Sequence, residues 1–109
     1  MAEAARVLLV PNIPTTLTTV LTANTTWAGK CQLVAIRVIN KTASAAWVSM
    51  VVNRGGTVTA VLPTQYPIDA RSQYPETTHL VLEIGDSIQA QAQTANALDL
   101  ILSGYEGVA

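Results

Sequence analysis

The feature that most constrains this chain is a two-residue alternation of apolar and polar side chains in its last third. Over 88–93 three apolar residues alternate with three glutamines, and over 98–103 three leucines alternate with Asp99, Ile101 and Ser103. An extended strand points successive side chains to opposite faces, so this pattern is typical of strands with one buried face. Gly85-Asp86 and Thr94-Ala95-Asn96 are polar turns of hairpin length. The last third therefore predicts three antiparallel strands, the first including Leu80, joined by tight turns.

Similar β-prone runs occur upstream, separated by Gly, Pro, Asn and Ser residues. They cover 6–10, 15–22, 32–40, 46–53, 57–62 and 66–70. We expect 46–53 to pair with 32–40, where Val34, Ile36 and Val38 form one face. The opposite face of 32–40 is also mostly apolar, which indicates a strand covered on both sides. The remainder of 63–79 contains several prolines and predicts a long connection.

These runs predict an all-β protein, an antiparallel β-sandwich of about seven to eight strands. Both jelly-roll and immunoglobulin-like strand orders fit the pattern. The length of 109 residues suits one domain, which we place at 15–109. The preceding segment, 1–14, has an apolar run at 7–10 followed by Pro11 and Pro14, which favour extended backbone. It is either an edge strand on the domain's own core or an N-terminal extended arm that docks on a neighbour.

Composition excludes several classes of function. Charged residues make up 12% of the chain, against about 25% in typical soluble domains, and the net charge is −1. The absence of a basic run disfavours nucleic-acid binding, and no apolar run approaches the ~18 residues of a membrane span. The opening residues lack a basic leader, so we expect synthesis in the cytoplasm without a standard export signal. A weakly charged surface favours a protomer covered by neighbours, hence a homo-oligomer or a subunit of a larger assembly, and the alternative is a threonine-rich β domain of ordinary solubility.

No combination of residues predicts catalysis, a cofactor or a metal. His79 is the single histidine, and Cys31 has no histidine placed beside it by a motif. Glu76 and Glu83 do not form a recognisable carboxylate pair, and Gly55-Gly56 lies in a hairpin rather than before a helix. We therefore expect a binding or structural protein rather than an enzyme.

The order of these pieces resembles a type of small bacteriophage virion protein. The matching segments are Thr18 to Leu21, Gly29-Lys30, Ile36 to Thr42, Val51 to Gly56, Leu80 to Ile88 and Ser103-Gly104-Tyr105-Glu106. The resemblance covers about residues 15 to 106 and implies a β-sandwich attached to a capsid, neck or tail, located in the virion. A capsid decoration (cement) protein bound to the major capsid protein or other virion proteins is our first interpretation. A neck or tail adaptor or fibre-anchoring protein is the alternative, and a glycan-binding module using an exposed Trp47 is a third.

Attachment of this kind would use buried apolar area and strand addition at an open sheet edge, repeated over symmetric copies. The candidate interface consists of the apolar residues of the opening segment and the two tryptophans. These are Val7, Leu8, Leu9, Val10, Ile13, Trp27 and Trp47.

Overall fold

The computed structural model describes residues 4–108, apart from the side chains of Glu76, Thr78 and His79. Within this range the chain forms antiparallel strands in two sheets, without a helix. The strands are β1 (Ala4–Val10), β2 (Thr18–Thr22), β3 (Cys31–Asn40), β4 (Ala46–Arg54), β5 (Thr57–Ala60), β6 (Tyr66–Ile68), β7 (Gln73–Leu82), β8 (Ser87–Ala92) and β9 (Leu98–Glu106). Across the described residues there is accordingly no helix that could span a membrane.

The first sheet has the strand order β1-β9-β3-β7, and the second has β2-β8-β4-β5 with β6 also beside β4. Consecutive strands lie in opposite sheets except in the middle of the chain, and β1 pairs with β9. This is the strand order of a jelly roll. An immunoglobulin-like order would instead keep the first two strands in one sheet. The predicted β-sandwich is confirmed, with the jelly-roll order.

The hairpins predicted for the last third are wrong. β7 and β9 belong to the first sheet and β8 to the second, so the turns at 85–86 and 94–96 cross between sheets. The turn at 41–44 likewise connects β3 to β4 across the sandwich. Alternation shows which side of a strand is buried. It does not show in which sheet the strand lies, because the buried sides of the two facing sheets look the same in sequence. The hairpin at Gly55-Gly56 does form, with Arg54 opposite Thr57.

Strand β7 was predicted only from Leu80 onward, because Pro75 interrupts the pattern. In the structure β7 runs from Gln73 and pairs only with β3, at the edge of its sheet. An edge strand tolerates proline where the missing N–H would face away from the neighbour. The proline therefore marks an edge rather than a loop.

The core lies between the sheets, and the alternation in β8 and β9 predicts their contribution correctly. Ile88, Ala90 and Ala92 are buried, as are the three leucines of β9. In β3 the predicted face is wrong at Val34, because a register shift between Leu33 and Ala35 reverses the alternation. Such a bulge adds one residue to a strand. Leu33 and Ile36 are consequently both buried.

The described part of the opening segment, 4–14, lies against the sandwich. β1 pairs with β9 from Ala4 opposite Glu106 to Val10 opposite Leu100. The N–H of Ile13 donates to the Leu98 carbonyl at 2.7 Å, and the Ile13 side chain is fully buried. Residues 4–10 therefore form an edge strand of the first sheet.

Polar clusters fix the two ends of the sandwich. At one end Asp99 accepts hydrogen bonds from the Asn12 N–H and from Lys41 Nζ, both at 2.9 Å. The backbone bond from Asn12, followed by the Lys41 contacts, holds the pKa of Asp99 below its usual range, although partial burial opposes this. At the other end the buried Asp86 accepts from Arg54 Nε at 2.8 Å and from the Glu83 N–H at 2.9 Å. The Asp86 side chain thus closes the turn that begins at Glu83.

Candidate docking surface

The side of the first sheet that faces away from the core is the most distinctive surface of the molecule. The pairing register aligns its outward residues in rows across β1, β9, β3 and β7. We call three of these rows the outer face of the first sheet. They are Ala5-Tyr105-Gln32-Val81, Val7-Ser103-Ala35-Thr77 and Leu9-Ile101-Arg37-Pro75.

This outer face is largely apolar and almost uncharged. Val7 is 60% exposed and Leu9 66% exposed, and Val81 and Tyr105 are exposed as well. Arg37 is the one charged residue within these three rows. A contiguous exposed apolar area of this kind is typical of a surface that binds another molecule.

The outer face is also contoured. Two depressions flank Ile101, one of about 330 Å³ beside Ala35 and Ser103 and one of about 300 Å³ beside Leu9 and Ile39. The first lies where the small side chains of Ala35 and Ser103 adjoin the larger Ile101. Their linings are mainly apolar, with Arg37 beside the first depression and Asp99 beside the second.

The outward side of the second sheet has a different character. It carries amide and hydroxyl groups, including Gln89, Gln91 and Thr19. Gln89 Nε2 donates to Thr19 Oγ1 at 3.4 Å, and Gln91 Nε2 donates to the Thr15 carbonyl at 3.0 Å. These groups are well hydrated in water, so this surface gains less from being covered.

The predicted interface residues of the opening run are divided between surface and core. Val7 and Leu9 lie on the outer face of the first sheet. Leu8 and Val10 are partly buried and pack against the core, and Ile13 is inside it. Because side chains alternate along β1, a continuous apolar run cannot all be available to a partner.

The two tryptophans do not join this surface. Trp27 is only 1% exposed, so its assignment to an interface is corrected: its loop folds inward and the ring packs over Gly104. Trp47 lies half-buried on β4 in the second sheet, opposite Pro67. Its backbone N–H donates to Gln93 Oε1 at 3.0 Å. The sequence thus names two residues of the outer face, Val7 and Leu9, and misses the others.

The sequence of β3 did indicate outer-face residues beyond Val7 and Leu9. Both faces of this strand are apolar in sequence, with Ala35 and Ile39 on the side that turns outward. The pattern was interpreted as a strand covered on both sides. In the structure the inner side meets the second sheet, and the outer side, with Ile101 of the adjacent strand, has no cover from the described part of this chain.

Cys31 and Glu83 are held in local contacts within the fold. Burial raises the pKa of the Cys31 thiol, and Cys31 Sγ lies 3.4 Å from the Gly29 carbonyl oxygen. Glu83 forms an ion pair with Lys30 at 3.4 Å. Among the described side chains, no three His, Cys, Asp or Glu residues gather as metal ligands. The side chains of His79 and Glu76 lie outside the described part of the structure.

Comparison with known proteins adds no family to this picture. No protein-family model matches the chain, and no curated protein matches it at a significant level.

Proposed function

We propose that this chain is a structural protein of a bacteriophage particle, a capsid decoration protein that seats the outer face of its first sheet on the major capsid protein. The proposal combines the order of sequence segments, which resembles small virion proteins, with a surface suited to binding rather than reaction. The virion is its site of action, and other copies of the chain occupy equivalent positions on the lattice.

The observation that carries the proposal is the two-sided apolar character of β3. A central strand with apolar residues on both faces is normally covered on both faces. Here the row through Leu9, Ile101 and Arg37 faces away from the core, with Leu9 exposed and Ile101 half-buried in the single chain. Covering it with a second protein removes that apolar area from water, at about 25 cal/mol per Å².

The weak surface charge supports the same interpretation. A net charge of −1 with 12% charged residues gives little electrostatic repulsion between copies packed side by side. Repetition over many symmetric sites then compensates for a modest contact at each one.

A pair of matched variants tests the docking surface. Ile101→Lys places a cation in the middle of the outer face, and Gln89→Lys makes the same change on the second sheet. A buried, unpaired charge costs on the order of 3 kcal/mol, or about 100-fold in Kd. We expect Ile101→Lys to lose attachment to purified particles by about that factor and Gln89→Lys to retain it. Equal attachment of both variants would remove the outer face from the proposal.

The number of copies in purified particles separates the capsid interpretation from the neck or tail alternative. Quantitative mass spectrometry should give on the order of hundreds of copies for a decoration protein and about six or twelve for a ring at the neck or tail. Particles without this chain would contradict both. A glycan array binding the wild type but not Trp47→Ala would favour the third interpretation instead.

A further inference from the structure

The edges of the two sheets differ in how they are protected from pairing with another strand. Natural proteins block exposed edges with prolines, bulges, short strands or charged residues. β7 contains Pro75, β6 contains Pro67, and β5 has four residues. β2 has a register shift between Thr19 and Leu21.

β1 has no proline, lysine or bulge along its seven described residues and pairs with β9 in continuous register. Its single charged residue, Arg6, forms an ion pair with Glu106 of the same chain. Among the described strands, none neighbours the other edge of β1. The backbone groups along such an edge remain available for a further strand, and the exposed Val7 and Leu9 side chains lie beside it.

We propose that β1 pairs with β1 of a second copy of this chain, antiparallel and centred on Leu8. In this register Val7 of each copy lies opposite Leu9 of the other. Exposed apolar side chains thus meet each other at the closest cross-strand positions. The two first sheets join into one eight-stranded sheet, and their outer faces become one continuous surface.

Charge also favours this register. Arg6 is the one charged residue of β1, and its NH1 group lies 3.2 Å from Glu106 Oε1 within the same chain. Centring on Leu8 separates the Arg6 positions of the two copies by four residues, about 14 Å along the strand. This exceeds the Debye length of about 8 Å at physiological salt. Centring on Val7 would halve that separation.

The size of the contact sets its strength. Five residue pairs, from Arg6 to Val10, bury much less than the ~800 Å² per partner of a standard interface. We therefore expect a reversible dimer with Kd on the order of 10–100 μM. Such a dimer would be strengthened where both copies also sit on a common support. The pairing goes beyond the proposed function and does not depend on the identity of that support.

Sedimentation velocity of the full chain over about 1 μM to 1 mM tests the dimer. We expect wild type to dimerise and the double variant Val7→Lys/Leu9→Lys to shift Kd upward by at least about 100-fold, because lysines would lie opposite lysines. Val58→Lys and Ile84→Lys are the controls. Their side chains are 52% and 65% exposed and lie away from β1, so both variants should dimerise as wild type does.

Mixing single variants tests the register. Val7→Lys with Leu9→Glu places opposite charges across the junction, so the mixture should dimerise at least tenfold more tightly than either variant alone. A mixture of Val7→Lys and Val7→Glu does not place the two charges directly opposite each other, so its dimerisation should be strengthened less. Equal recovery in both mixtures would overturn the Leu8-centred register.

Other outcomes overturn the dimer itself. Wild type that stays monomeric at 1 mM, or a Val7→Lys/Leu9→Lys variant that dimerises normally, would refute β1 self-pairing. Monomeric wild type refutes self-pairing whether or not that double variant attaches to particles, because Val7 and Leu9 also lie on the outer face proposed for docking. Failure of the proposed function is distinguishable, because Ile101→Lys would then leave both particle attachment and dimerisation intact.

Discussion

Replacement of Gly104 by alanine is the sharpest test of how β9 packs against β3 and the Trp27 ring. A Cβ atom at this position would lie 2.1 Å from the Gln32 carbonyl oxygen and 3.0 Å from the Trp27 ring. The Gln32 oxygen is backbone in β3, which is held between β9 and β7. It cannot move as a flexible side chain can, so the strands themselves would have to separate.

The expected cost follows from that geometry. Overpacking a well-packed interior costs about 1–3 kcal/mol, and a clash with backbone in a central strand belongs at the upper end. At about 4 °C per kcal/mol for a domain near this size, Gly104→Ala should lower Tm by about 12 °C. Gly85→Ala is the comparison. Gly85 has a φ of +96° with open space around its Cβ position, so the variant carries backbone strain alone, about 1–2 kcal/mol.

Thermal unfolding followed by circular dichroism measures both variants. A Trp27→Leu/Gly104→Ala double variant adds a second criterion, because relieving the ring contact leaves the backbone clash in place. We expect the double variant to be less stable than Gly104→Ala. A Gly104→Ala protein that melts within about 3 °C of wild type would refute the close approach of β9 to β3.

Three further changes follow from the structure. Asp86→Ala removes the buried carboxylate that accepts hydrogen bonds from the Glu83 N–H and from Arg54, and it should cost about 2–3 kcal/mol in urea unfolding. Lys30→Ala breaks an exposed ion pair and should cost under about 1 kcal/mol, and equal costs would contradict the role of Asp86. Because the pKa of Asp99 is lowered on folding, its carboxylate stabilises the fold above about pH 4, and this stabilisation is lost as the pH falls below that value. Asp99→Asn should therefore reduce stability at pH 7 and make the fall of stability in acid less steep. Parallel curves of Tm against pH for the variant and wild type would contradict this. Deletion of residues 1–14 removes the buried Ile13 and should lower Tm by more than about 15 °C, and an unchanged Tm would show that the segment is dispensable.

The sequence predicted features that depend on neighbours along the chain. Alternation identified the buried leucines of β9, and Gly85 marked a turn that does require a positive φ. The sequence could not show which strands pair with each other, because the inner sides of the two facing sheets carry the same pattern. The bulge at Val34 was hidden because Val34 resembles its neighbours in hydrophobicity, so nothing marks the extra residue.

The docking surface was only partly predictable for a related reason. Val7 and Leu9 belong to an obvious apolar run, but Ile101 joins them only because β9 lies beside β1. Trp27 occurs among polar residues that suggest an exposed loop. Its burial depends on the absence of a side chain at Gly104, which is distant in sequence. Contacts of this kind are decided by the three-dimensional register rather than by local pattern.

The position of β9 between β1 and β3 has a consequence during synthesis. When β1 and β3 have left the ribosome, the strand that joins them has not yet been translated. The nascent chain must therefore hold two unjoined edges and part of its apolar core in water until β9 emerges. We expect folding to finish only after release of β9, and nascent chains stalled before Leu98 to be bound by chaperones and sensitive to proteases.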